Sequence, residues 1–255
     1  MFVDSHCHID FPELAADIDG VLGKMRENQV DQCLCISVNL EDFPRVLKLA
    51  EMHENVFATV GVHPDYEDIE EPDVARLVRL ADHPKIIGIG ETGLDYYRLT
   101  GDLEWQRERF RTHIRAAIKT RKPLIIHTRS AAEDTLRIMR EENAADIGGV
   151  MHCFTETMDV AEQAMAMNFY ISISGIVTFK NAVQIKAVAQ KVPLDRLLIE
   201  TDSPYLAPVP FRGKLNQPGY VKHVAEEIAR LRGVSVGEIA SSTTNNFNKL
   251  FNINK

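Results

Sequence analysis

The chain has 255 residues, 45% of them hydrophobic, and a formal net charge of −8. That length and apolar fraction support one sizeable core, and α/β barrels of this size are routinely single, so residues 1–255 are expected to form one domain. The acidity excludes a protein that coats nucleic acid non-specifically but not one that cuts it, because bound divalent cations reverse the local field.

In chain order, short apolar runs alternate with longer amphipathic stretches. The runs at 2–9, 33–38, 56–62, 86–91, 124–127, 148–152, 170–173 and 197–202 read as strands. Helical patterns occupy 12–28, 42–54, 103–121, 131–142, 159–167 and 182–190, and two more, 220–232 and 235–251, follow the last strand. Buried strands separated by helices imply parallel pairing, because a parallel partner is reached only through a crossover. The expected fold is α/β, a TIM-type (β/α)₈ barrel with a C-terminal helical extension. No repeat or Gly/Ser linker divides it.

Cys7, Cys33, Cys35 and Cys153 form no C-x-x-C pair, and three of them fall in apolar runs, so they read as packed thiols of a reducing compartment. Met1-Phe2-Val3-Asp4-Ser5 leads straight into a motif, leaving no space for a signal peptide, and no apolar run nears the roughly 20 residues of a membrane span. A cytoplasmic protein without membrane contact, a monomer or weak oligomer, is the expectation.

Polar residues gather at the C-terminal ends of the apolar strands. His6 and His8 flank Cys7 and share a strand face, since successive side chains alternate. On the fourth strand Ile87, Ile89 and Glu91 are expected on one face, with the carboxylate last. The fifth ends at His127, the sixth at His152, and the eighth at Glu200-Thr201-Asp202. Barrel active sites lie at this end, so six residues from five strands can meet in one pocket. A lone histidine at a strand end is more often a hydrogen-bonded core or surface residue, but five strands ending in ligand types make a poor coincidence. Four imidazoles and two carboxylates suit two divalent ions (Zn, Mn, Mg, Ni or Co), with Glu91 on the central strand as the bridge.

The neighbours divide. Asp4 is expected to be structural at the barrel bottom, Glu200 to support the site from one pleat deeper, and Cys153 to pack in the core. His53, His83, His113 and His223 lie on or beside helical patterns and are expected to face solvent. His63, in Gly61-Val62-His63-Pro64, follows the third strand at the mouth and is a candidate substrate contact. Arg129, Arg212, Lys214 and Asn216 are candidate phosphate anchors, and Lys180 a weaker one. The stripe Arg107, Arg111, Arg115 and Lys119 looks like a nucleic-acid face, although an outer barrel helix needs a solvated side in any case.

Asp4-Ser5-His6-Cys7-His8, Gly61-Val62-His63-Pro64, Gly90-Glu91-Thr92-Gly93-Leu94-Asp95-Tyr96, Ile126-His127-Thr128-Arg129, His152-Cys153-Phe154 and Glu200-Thr201-Asp202-Ser203-Pro204-Tyr205-Leu206 together resemble the TatD family of metal-dependent deoxyribonucleases, over essentially the whole chain. The resemblance implies one metal held by His6, His8, Glu91 and Asp202 and another by Glu91, His127 and His152. It also implies DNA as substrate and favours attack from the 3′ end. Lysine-bridged relatives carry a carbamylated lysine on strand four; here Lys85 stands at the start of that strand and Glu91 at its mouth. Asp202 and Glu91 are the expected catalytic residues, Asp202 positioning the nucleophile and taking its proton. The rival readings are an amide or ester hydrolase, including a deacylase of misacylated tRNA, and a non-catalytic metal-binding scaffold.

Overall fold

The computed structural model describes residues 1–253. The β-branched and aliphatic runs become eight strands: β1 (Phe2–Cys7), β2 (Val30–Cys35), β3 (Val56–Val60), β4 (Ile86–Asp95), β5 (Leu124–Arg129), β6 (Gly149–Met151), β7 (Phe169–Ile173) and β8 (Leu197–Ile199). They form one sheet in sequential order, every neighbouring pair parallel. The ring closes at the C-terminal ends of β1 and β8. There Cys7 bridges to Ser203, the His8 N–H donates to the Ser203 carbonyl at 2.7 Å, and the Asp202 N–H donates to the His6 carbonyl at 2.9 Å. The architecture is a TIM-type (β/α)₈ barrel.

Around it lie α1 (Pro12–Ala15), α2 (Ile18–Glu27), α3 (Phe43–Met52), α4 (Val74–Ala81), α5 (Glu104–Thr120), α6 (Ala132–Glu141), α7 (Met158–Ala166), α8 (Val183–Lys191), α9 (Val221–Arg232) and α10 (Val236–Leu250). The helix expected over 12–28 is two helices. The Asp17 side chain accepts from the Gly20 N–H and caps a new start, so one continuous stretch is interrupted there. Helix α4, absent from the sequence reading, is likewise capped by Asp73, which accepts from the Arg76 N–H.

Most of the core lies between strands and helices. A second cluster, drawn from Val3, Leu34, Ile87, Ile125, Val150, Tyr170 and Leu198, packs against Phe247 and Phe251 at the end of α10. Helix α10 therefore plugs the end of the barrel opposite the mouth. Asn246 secures it by donating to the carbonyls of Leu194 and Leu197 at the start of β8. The Lys85 ammonium donates to the carbonyls of His53, Glu54 and Val56 and stays away from the mouth.

Strict alternation along β4 fails. Ile87 belongs to the inner cluster but Ile89 to the outer one, and the pairing register slips on both flanks of the strand. Gly90 sits at this irregularity with φ +143°, and a Cβ there would meet the Ile125 carbonyl at 2.5 Å. Only glycine allows β4 to lie this close to β5 in that conformation. The slip sets how the next residue, Glu91, enters the mouth.

Candidate metal centre

The C-terminal ends of the strands bring His6, His8, Glu91, His127, His152 and Asp202 together beneath an open pocket of about 800 Å³. Glu91 is central and its two oxygens face different partners. Its Oε2 lies 3.2 Å from His6 Nε2 and 4.0 Å from His8 Nε2. Its Oε1 lies 2.8 Å from His152 Nε2, 3.2 Å from His127 Nδ1 and 3.3 Å from His63 Nε2. Asp202 completes the first side, its Oδ1 standing 3.4 Å from His8 Nε2 and 3.6 Å from His6 Nε2.

These spacings suit metal ligation. Two imidazole nitrogens bound tetrahedrally to one ion at about 2.0–2.1 Å stand about 3.4 Å apart. His6 Nε2 and His8 Nε2 are separated by 3.3 Å, and His127 Nδ1 and His152 Nε2 by 3.5 Å. The outward ring nitrogens of His8, His127 and His152 are also occupied, while His6 Nδ1 is buried without a partner. His8 Nδ1–H donates to the Ile36 carbonyl at 3.3 Å, His127 Nε2–H to Asp95 Oδ2 at 3.0 Å, and His152 Nδ1–H to Glu200 Oε1 at 3.2 Å. Each bond fixes the tautomer that turns a lone pair inward, the arrangement that ligating histidines use.

The electrostatics favour a cation. Burial pushes the Glu91 carboxyl up, but His152, His63 and His6 pull it well below the ordinary carboxylate range. Burial pushes His152 and His63 down, yet Glu91 raises both, joined by Glu200 at His152 and by Asp65 at His63, the latter reaching about 9. The carboxylates thus favour a proton on His152 and His63, though burial and His152 lower His6, and a divalent ion would compete with protons for the same lone pairs.

Residues 3–252 match the family described as TatD related DNase. The chain belongs to that family. This TatD-family chain is 48% identical over 254 residues, 98% of its length and 96% of the relative's, to the uncharacterized metal-dependent hydrolase YcfH of Escherichia coli K12. It is 33% identical over 248 residues, 94% of its length and 96% of the other's, to a protein of Erwinia tasmaniensis named 3'-5' ssDNA/RNA exonuclease TatD. The crystal structure of YjjV, a TatD homolog from Escherichia coli K12, superposes with a TM-score of 0.90 at 29% identity, covering 99% of this chain and 98% of that one. The TatD-family chain is a metal-dependent hydrolase.

Other sequence expectations move. Asp4 is structural, but it acts directly under the site rather than at the barrel bottom: its carboxylate accepts from the Thr201 N–H and hydroxyl, next to Asp202. Cys153 is half-buried in the pocket wall, not core; its left-handed backbone, φ 40°, turns it off the strand alternation. His113 does not face solvent. It is fully buried, accepting from the Val62 N–H at 3.0 Å and donating to the Arg109 carbonyl at 2.8 Å. His53, His83 and His223 are half-buried.

Among the anchors, Arg129 lines the pocket and lies over the Tyr97 ring at 3.8 Å. Arg212 lies over Phe179, and Lys214 near Phe211, on the exposed loop after β8 and outside the pocket lining, while Lys180 is exposed. Asn216 is fully buried and donates to the Thr201 and Tyr205 carbonyls, so it braces that loop instead of meeting a ligand. The arginines of the α5 stripe are neutralised: Arg107 pairs with Glu104, while Arg111 and Arg115 pair with Glu142 of the α6 end. Sequence reasoning missed Asp95, Asp65 and Arg98. Asp65 joins His63 to Arg98 by ion pairs on its two oxygens. Asp95 lies four residues past Glu91, and the β4 run extended that far would have placed it beside His127.

Proposed function

We propose that this TatD-family hydrolase is a two-cation phosphodiesterase that trims 3′ ends of single-stranded or frayed DNA. The observation that carries the reading is Glu91, whose two carboxylate oxygens face separate sets of ring nitrogens at the base of an open pocket. His6, His8, Glu91 and Asp202 would hold one cation, and Glu91, His127 and His152 the other. Such a pair would draw charge from a phosphoryl oxygen and make water nucleophilic near neutral pH. The relative named as an exonuclease supports the substrate class.

The chain's own groups have distinct tasks. Asp202, with 16% of its side chain exposed, is the carboxylate that orients the attacking water, takes its proton on Oδ1 and returns it to the leaving oxygen. His63 Nε2 stands beside Glu91 Oε1 with its ring fixed by Asp65, placing it to contact the reacting phosphate. Arg129 lines the pocket and supplies charge to neighbouring phosphates, while Arg98, also on the pocket wall, is engaged by Asp65.

The deciding experiment compares single-stranded DNA, duplex DNA, an aryl phosphodiester, simple esters and amides, and misacylated tRNA, with Zn, Mn, Mg, Ni or Co. Single-stranded DNA should be the best substrate, and Asp202→Asn should lower turnover about 10²–10⁴-fold at matched metal occupancy. Preference for the ester, amide or misacylated tRNA overturns the DNA assignment, and no turnover with any substrate at full occupancy favours a scaffold.

A further inference from the structure

The two sides of the pocket mouth differ. Arg98, Thr128 and Arg129 line the side built by the ends of β4 and β5, while Phe11 and Tyr205 line the side where β8 meets β1. With strands in sequential order round a ring of eight, these sides face one another across the Glu91 cluster. Phe11 stacks on the His8 imidazole with centroids 4.8 Å apart and planes at 21°. Tyr205 meets Phe11 edge-to-face, centroids 6.3 Å apart at 77°.

Tyr205 is exposed yet firmly placed. It is 55% accessible, but its N–H donates to the Asp202 carbonyl at 3.0 Å and its own carbonyl accepts from buried Asn216. The ring is thus presented on a backbone tied at both ends, with one edge at the pocket. A rigid, uncovered aromatic beside a polar catalytic pocket is suited to a flat apolar group, and a nucleobase is the flat group carried by a strand whose phosphate reaches the cluster. Across the mouth, Arg129 rests on Tyr97 at 3.8 Å, and among the described residues it has no carboxylate within 4.0 Å. Its charge is free to meet a phosphate.

We propose that Phe11 and Tyr205 form a base-stacking subsite for the terminal nucleotide, with its scissile phosphate over the Glu91 cluster and the preceding phosphate towards Arg129. This deepens the phosphodiesterase reading and rests on it. Stacking uses a face that every base has, so the subsite selects for the presence of a base without selecting its identity.

The test uses the full-length, metal-loaded enzyme and two single strands, identical except that one ends in a normal nucleotide and the other in an abasic tetrahydrofuran nucleotide. The wild type should favour the base-bearing end in kcat/KM by about 5- to 150-fold, the range spanned by base–aromatic contacts. Tyr205→Ala and, as a second variant, Phe11→Leu should shrink that ratio, and Tyr205→Phe should restore it. Metal content and circular dichroism establish that each variant is loaded and folded. A wild-type ratio near one, or a ratio unchanged in both Tyr205→Ala and Phe11→Leu, overturns the subsite while leaving the phosphodiesterase reading intact. Failure of the loaded wild type to cut either strand overturns the phosphodiesterase reading itself.

Discussion

Asp95 illustrates how a residue outside the ligand set controls one inside it. Its Oδ2 accepts from His127 Nε2–H at 3.0 Å, which leaves His127 Nδ1 with the lone pair that faces Glu91. Its Oδ1 accepts from the N–H groups of Tyr97 and Arg98, fixing the carboxylate at the turn after β4. Burial pushes this carboxyl up, but the His127 hydrogen bond and the Arg98 and Tyr97 N–H groups hold it down at about 2, so it stays ionised across the working range. Replacing Asp95 with Asn keeps the size and the turn bonds but removes the charge that selects the His127 tautomer. Cation affinity on the His127 side should fall about 10–100-fold, with little change in secondary structure. Competition with a chromophoric chelator measures this, and parental affinity in Asp95→Asn would mean that His127 is oriented by something else.

At the scale of elements, α5 does what its sequence conceals. Gln106, Arg109 and His113 recur at helical spacing on the side facing the barrel, and all three are buried. Gln106 accepts from the Asp95 N–H and donates to the Pro64 carbonyl; Arg109 donates to the His63 carbonyl; His113 accepts from Val62 N–H. One helix therefore holds both the loop bearing His63 and the turn bearing Asp95. The sequence displayed the six ligand types because they stand in or at the ends of short apolar runs. It concealed this trio because polar residues on a helix ordinarily mark the solvated face, and only the fold reveals a buried backbone that needs partners. The same reason explains why His113 was expected in solvent and Asn216 at a phosphate.

His113 also gives the element a pH signature. Burial lowers its pKa to about 4, against 6.5 for an unperturbed histidine. Above about pH 6.5 both folded and unfolded forms are neutral here, and the residue adds no slope. Between about 6.5 and 4 the unfolded chain takes a proton that the folded one refuses, so stability falls with pH, by up to about 3 kcal/mol at the acid end. His113→Gln keeps an acceptor for Val62 without the titration. Urea unfolding of the metal-free proteins at pH 7.5 and pH 5 should show a smaller loss in the variant, and equal losses would remove His113 as the source.

At the scale of the whole molecule, shape and charge bear on which DNA reaches the site. The inner ligands are nearly closed over: Glu91 is 3% exposed and His6 not at all, while Asp202 and His127 each keep 16% of the side chain accessible, so a phosphate must descend below the rim of the mouth to meet them. A duplex about 20 Å across cannot lower an internal phosphate to that depth without severe distortion, whereas a flexible strand end can enter. The chain carries a net charge of −8, and the arginines of the α5 stripe are engaged by Glu104, Glu108 and Glu142. Affinity for an intact duplex through backbone contacts should therefore be weak. End-labelled linear single strands should be shortened one nucleotide at a time, blunt duplexes more slowly and only as their ends fray, and covalently closed circles hardly at all under the same metal. The decisive comparison is the closed circle. If it is cut internally as fast as the linear strand is trimmed, internal phosphates reach the cluster and the depth of the mouth does not govern substrate choice.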